Sequence, residues 1–231
     1  MSKKLLLILS SLMIFSGNLH AATISYRQGG GTGYTDINVY GTYISSWDKS
    51  YTFGNLPELN SYKYTSYYYR ALISFPNIFG DGANQVPYGA IINSATLTLK
   101  RSYYSGSSSA TYYLNRMTIN WNEGSSWNSL NGGSWDGGQT FTPNVTTFNL
   151  DVTSSVQAWD NQTMPNYGWI IYTWTDYCSL EFHSDDASNI SYRPVLTIDY
   201  SLPVVIPEPA SLLLLGLSTF YLIRKKVRRN S

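Results

Sequence analysis

Between its two ends the chain predicts an all-β fold: an antiparallel β-sandwich, wound as a jelly roll, with one short helix. Composition is the first reason. The 231 residues include 21 Tyr, 7 Trp and 18 Gly, but only 13% are charged. Aromatic and β-branched residues fit a half-buried pleated surface, while Gly, Asn and Ser punctuate turns. The second reason is period-two alternation, as in Ile37–Ile44. The third is the count of roughly ten short runs between polar turns, against a single stretch with helical spacing.

Taken in order, Thr23–Gln28 and Ile37–Ile44 are two strands joined across Gly29–Gly33. No Lys and no helical pattern follow those glycines, so they make a flexible turn rather than a phosphate loop. Ser45–Tyr67 reads as loops around a short strand near Leu56–Leu59, with Tyr62, Tyr64, Tyr67, Tyr68 and Tyr69 clustered on or beside a loop. Tyr68–Phe75 is a nearly continuous apolar strand, Arg70 excepted, as a strand covered on both faces requires. Ala90–Tyr104 is expected to pair with Thr111–Trp121 across Ser105–Ala110. Centring that turn on Ser108 places Leu99 opposite Met117 and Leu97 opposite Ile119 on one face, and Lys100 opposite Arg116 on the other.

Asn122–Thr142 carries Trp127 and Trp135 among glycines and asparagines, and reads as a long functional loop ending in a short strand. Phe148–Leu150 is a strand. Val152, Val156 and Trp159 then fall at i, i+4 and i+7, with Asp151 or Thr153 available as a cap, which predicts the helix. Tyr167–Thr175, Cys178–Ser184 and Arg193–Ser201 are the last strands.

Both ends read as addresses. Lys3 and Lys4, the apolar run Leu5–Phe15, and Ala21-Ala22 have the order of a secretory signal peptide over residues 1–22, with the mature chain starting near Ala22 or Thr23. Residues 203–231 hold Pro207-Glu208-Pro209, an apolar run over 210–223, and five Lys/Arg. The run is shorter than the roughly 20 residues of a full span, so a weak or transient membrane anchor is expected, its basic end cytoplasmic. This order resembles the PEP-CTERM sorting signal of Gram-negative bacteria. The resemblance implies an exosortase-type processing enzyme as a partner, and delivery to the cell surface or extracellular matrix.

Residues 23–202, about 180 in number, suffice for one domain with a full core. Between Ala22 and Ile206, 13 Asp/Glu stand against 8 Lys/Arg, a net charge of −5. That argues against nucleic acid as a partner, which calls for a basic face. Cys178 is the sole cysteine, so no disulfide within the chain and no Cys-based zinc cluster can form.

Several segments in order resemble the DNRLRE domain, which overlaps the ninety-sixth family of carbohydrate-binding modules. They include Gly41-Thr42-Tyr43-Ile44, Arg70-Ala71-Leu72-Ile73-Ser74-Phe75, Trp121-Asn122-Glu123, Asn166-Tyr167-Gly168-Trp169 and Arg193-Pro194-Val195-Leu196. The resemblance implies a jelly roll that binds polysaccharide, alginate being an example. The family often has Asp where Gly41 stands.

Ring-rich, hydroxyl-rich surfaces suit sugars, whose apolar faces stack on aromatics while their hydroxyls bond amides and hydroxyls, although strand propensity alone explains most of the tyrosines. Lys100 and Arg116, facing one another, are candidates for uronate carboxylates, with Tyr104 and Tyr112 stacking on the sugar and the Trp127/Trp135 loop as the other candidate surface. Catalytic constellations are thin. Glu123 sits in a turn where backbone N–H bonding is its expected work, and Asp136 in a Gly-rich loop. His183 ends a strand, and His20 leaves with the signal peptide, which rules out a two-histidine metal site. The expectation is a non-enzymatic protein without cofactor, save that Asp36, Asp185 and Asp186 form a set suited to structural calcium. Arg193 is expected to pair with one of those acids. A structural matrix protein using the same sandwich for protein contacts is the alternative.

Overall fold

The computed structural model describes residues 20–203; the leader run and the Pro207-Glu208-Pro209 segment with its apolar tail lie outside them. The first half comprises β1 (His20–Arg27), β2 (Thr35–Asp36), β3 (Tyr40–Ser45), β4 (Glu58–Tyr64), β5 (Tyr67–Ser74), β6 (Ile91–Ser105) and β7 (Tyr112–Met117). Then follow α1 (Trp127–Leu130), β8 (Trp135–Phe141), β9 (Thr147–Asp151), α2 (Thr153–Asp160), β10 (Trp169–Thr173), β11 (Cys178–His183), a 3-10 turn (Ile190–Tyr192) and β12 (Val195–Leu202). Among the described residues no helix is long and apolar enough to cross a membrane.

The fifteen-residue β6 belongs to two sheets. Its first part lies between β12 and β9, Leu97 facing Leu196 on one edge and Leu150 on the other, and β1 and β2 extend this sheet past β12. Its last residues pair with β11, Tyr104 opposite Leu180, and β11 leads through β4 to β5. β5 is flanked by β3 and β10, with β7 and β8 beyond β10. The β1–β2 pair is parallel, whereas the pairings along β4 to β12 are antiparallel.

The main core lies between these sheets because each strand alternates. Leu97 and Leu99 of β6 point inward with Leu196, Ile198 and Phe148 to meet Ile73, Leu114, Trp169 and Ile171. Each fully buried side chain of this size contributes about 1.5–3 kcal/mol relative to exposure. α2 closes one end: Val152, Val156 and Trp159 are buried, and the Trp159 and Trp169 ring centroids are 4.7 Å apart. Asp151 Oδ1 accepts from the Thr153 N–H at 2.9 Å and from its hydroxyl at 2.6 Å, holding the first helical residue.

β10 is buried on both faces, so its outer residues need their own cover. Ile170 and Tyr172 join Ile44, Leu72 and Met117 in a second apolar cluster, roofed by Trp121, Leu130 and the half-buried Trp127 and Trp135. The Trp121 indole N–H donates to Tyr167 O at 2.7 Å, and Ser126 and Ser129 cap α1 reciprocally. Asn122–Thr142 is therefore a structured cover: it contains α1 and a seven-residue β8, and among the described residues there are two α-helices rather than one.

The expected hairpin between Ala90–Tyr104 and Thr111–Trp121 is corrected. Both edges of β6 are occupied by β12, β11 and β9, and those of β7 by β10 and β8. The short link over residues 106–111 leaves β6 where it lies beside β11 and enters β7 beside β10, instead of closing a ladder. Lys100 consequently faces Thr147, and Arg116 faces Asp136. The strand placed near Leu56–Leu59 runs instead over Glu58–Tyr64, and the tyrosine cluster lies in the β4–β5 hairpin.

Candidate functional site: an aromatic face

Trp127 and Trp135, singled out in the sequence as one candidate surface, are brought together by the fold, and Arg70 is what they meet. The Arg70 guanidinium carbon lies 4.7 Å from the Trp127 ring centroid and 4.8 Å from that of Trp135. Tyr68, Trp174 and Tyr172 stand at 5.5, 5.5 and 5.8 Å. Arg70 is 7% exposed; one terminal nitrogen donates to Gly132 O, and its Nε has no partner. Burial lowers its pKa to about 10, an effect that Tyr172 and Tyr68 partly offset. Among the described residues no carboxylate pairs with it, and the ring faces take that part. Trp174, 46% exposed, is the outermost ring of this cage.

The β4–β5 hairpin builds a second aromatic array. Its turn is two residues, Thr65-Ser66, and its register sets Tyr62 opposite Tyr69 and Tyr64 opposite Tyr67, so all four rings share one face. Their centroids lie 5.8 Å and 5.0 Å apart across the strands. The array continues to Tyr43, 5.6 Å from Tyr69, then to Phe53 stacked on Tyr43 at 4.1 Å, and to Tyr51 beyond. Trp47 leans on Tyr67 and Tyr177 on Tyr64. Trp47 and Tyr51 are 67% and 63% exposed, which leaves the ends of this ridge open to solvent. Burial pushes the Tyr43 hydroxyl up to about 12, helped by Tyr69, Glu181 and Glu58, so it stays a proton donor at neutral pH.

The remaining candidates are dispersed. Tyr112 is fully buried in the main core, stacked on Phe141, where no sugar can reach it. Tyr104 packs against the same core with its hydroxyl buried. Lys100 lies over the Tyr192 ring at 5.1 Å, and Arg116 bonds Asp136 at 3.1 Å. A face combining Lys100, Arg116, Tyr104 and Tyr112 is thus absent, because the hairpin that would have created it does not form.

Among the described residues no group of three or more His, Cys, Asp or Glu is spaced to hold a metal ion. Asp36 is apart from the other two aspartates and accepts from the Gly29 N–H at 2.7 Å. Asp185 is 1% exposed and neither carboxylate oxygen has a hydrogen-bond partner. Burial raises it to about 8, a shift that Asp186 and Glu123 reinforce. Arg193 does not pair with it: Nε donates to Ala187 O at 2.9 Å and Nη1 to Gln28 O at 3.4 Å. Glu123 is raised by burial, with the Gly41 N–H pulling it back, in keeping with the backbone role expected of it. His183 ends β11 as expected and stacks on Tyr192 at 4.8 Å.

The ridge was within reach of the sequence. Tyr at 62, 64, 67 and 69, two apart on each side of a two-residue turn, fall on one face once the turn is placed. Neither a family model nor a curated protein matches the chain.

Proposed function

We propose that the chain is an exported, non-catalytic polysaccharide-binding protein, sorted to the cell envelope or matrix through its C-terminal signal, and that the hairpin ridge is its binding face. The observation that supports this reading is the continuous series of rings from Tyr51 through Tyr43, Tyr69 and Tyr62 to Tyr64 and Tyr177. Successive ring spacings of about 4–6 Å let a glycan chain lie across several aromatic faces while the tyrosine hydroxyls meet its hydroxyls.

The charges beside the ridge select the sugar. Glu58 and Glu181 act on Tyr43, and Asp48 acts on Tyr69. These carboxylates accept hydrogen bonds from neutral sugars and repel uronates, so the acidic-glycan reading loses its support together with the Lys100–Arg116 pair. The non-catalytic reading rests on the seclusion of the perturbed groups: Asp185 is buried and His183 is held in a stack.

Glycan-array binding by the full chain tests the reading, backed by affinity measurements on Trp47→Ala and Tyr51→Ala. Losing a stacking ring should weaken binding to a neutral polysaccharide by roughly 3- to 10-fold each, with little dependence on salt. Failure to bind any glycan, together with specific capture of a matrix protein through the same rings, would favour the protein-contact alternative.

A further inference from the structure

Asp185 is the least expected group in the molecule: a carboxyl with both oxygens out of water and neither one bonded. Leaving an unpaired charge inside costs several kcal/mol in general, so such groups acquire a counter-charge or lose their own. Among the described residues no lysine or arginine bonds it: Arg193 acts on Asp185 only at a distance and donates to two backbone carbonyls. Asp186 and Glu123 add negative charge beside Asp185, and Arg193 offsets it only in part.

The backbone around it is drawn in tightly. Gly41 has no Cβ, and a Cβ there would run into Asp185 Oδ1, so the carboxyl rests against bare main chain. A Cβ on Gly54 would likewise meet the Cβ and main-chain carbonyl of Glu123, which sets the backbone there against the 51–57 loop. The same loop is tied beside Asp185: Ser184 N–H donates to Pro57 O at 2.9 Å and the Ser184 hydroxyl to Leu56 O at 2.6 Å. Asp185 and Glu123, carried on separate segments, thus both reach the bare main chain at Gly41.

We propose that Asp185 and Glu123 hold a hard divalent cation, calcium, between the 51–57 loop and the start of β3. Calcium accepts carboxylate oxygens in flexible geometry and commonly completes its shell with backbone carbonyls and water, which suits a site with two carboxylates rather than a full side-chain cage. The bound ion neutralises the crowded acids and fixes the loop that carries Tyr51 and Phe53. Only that last consequence rests on the ridge as the binding face.

The test is thermal unfolding and calorimetric titration of the full-length chain in detergent, stripped with EDTA and then supplied with calcium chloride or magnesium chloride. Saturating calcium should raise the wild-type midpoint by about 5 °C and titrate as one site, with magnesium giving less. Asp185→Asn should abolish the shift and, in EDTA, unfold no earlier than wild type, because it removes an unpaired buried charge. Glu123→Gln should weaken calcium binding by at least tenfold, whereas Asp36→Asn should leave it unchanged. The absence of a calcium-dependent shift and of a one-site isotherm in the wild type overturns the proposal, as does an undiminished shift in both Asp185→Asn and Glu123→Gln. Should Asp185→Asn not fold, the wild-type isotherm and Glu123→Gln decide. Calcium binding without any glycan binding leaves the ion site standing and removes only the ridge reading.

Discussion

Arg70 shows how a single charge can be housed without an opposite one. Its guanidinium is nearly out of water yet sits among five rings, and only one backbone carbonyl accepts from it. Its aliphatic stem and flat head also fill the space beneath the Trp127 and Trp135 roof, so packing and electrostatics can be separated by substitution. Arg70→Ala should cost about 2–4 kcal/mol through the cavity it leaves. Arg70→Met keeps most of the volume and deletes the orphaned Nε, and should stay within about 1 kcal/mol of wild type. Urea unfolding midpoints check both values; a Met variant as unstable as the Ala variant would give the stabilisation to the cation and the rings. The sequence displayed Arg70 as the one charge in an apolar strand, and displayed Trp127 and Trp135 as a candidate surface. Their meeting was hidden because it depends on which face of β5 the 119–134 segment covers, a long-range choice that local spacing does not encode.

Among the elements, α2 is the one whose sequence signal was most complete: spacing and length followed from Asp151–Trp159, although Val152 takes the cap position and Asp151 bonds Thr153 from one residue further out. The hydrogen bonds from the Thr153 hydroxyl and N–H hold the Asp151 carboxyl below the usual carboxylate range. A carboxylate more acidic in the folded protein than in the unfolded chain stabilises the fold above its ordinary value, 3.8, and loses that contribution as pH falls through the lower folded value. The unfolding midpoint of wild type should therefore drop more steeply with acidification below about pH 4 than that of Asp151→Asn, as circular dichroism melts would record. Strand existence was equally legible in β5, β9, β10, β11 and β12, each near its expected place. Pairing was not: β6 and β7 have the alternation of a hairpin and a plausible turn, but alternation fixes only which side faces inward, and either strand satisfies it equally well with another neighbour.

The described domain is acidic, and the two end segments that read in the sequence as addresses lie outside the described residues. Replacing Pro207-Glu208-Pro209 with three alanines keeps the apolar run and the basic end. It should leave membrane insertion intact while blocking processing, which fractionation and the mass of the released chain would reveal; normal release would remove the sorting reading. The pairing of β1 with β12 adds a constraint of timing. Ser25 and Thr197 share a hydrogen bond although 172 positions separate them. A ribosome that adds roughly 5–20 residues per second leaves β1 waiting about 10–30 s for its partner. During that interval Ile24 and Tyr26 have no finished core to enter, and the edge of β1 opposite β2 has nothing to pair with. The first strand made is among the last to be secured, and its open edge is exposed to pairing with other chains until the final strand arrives.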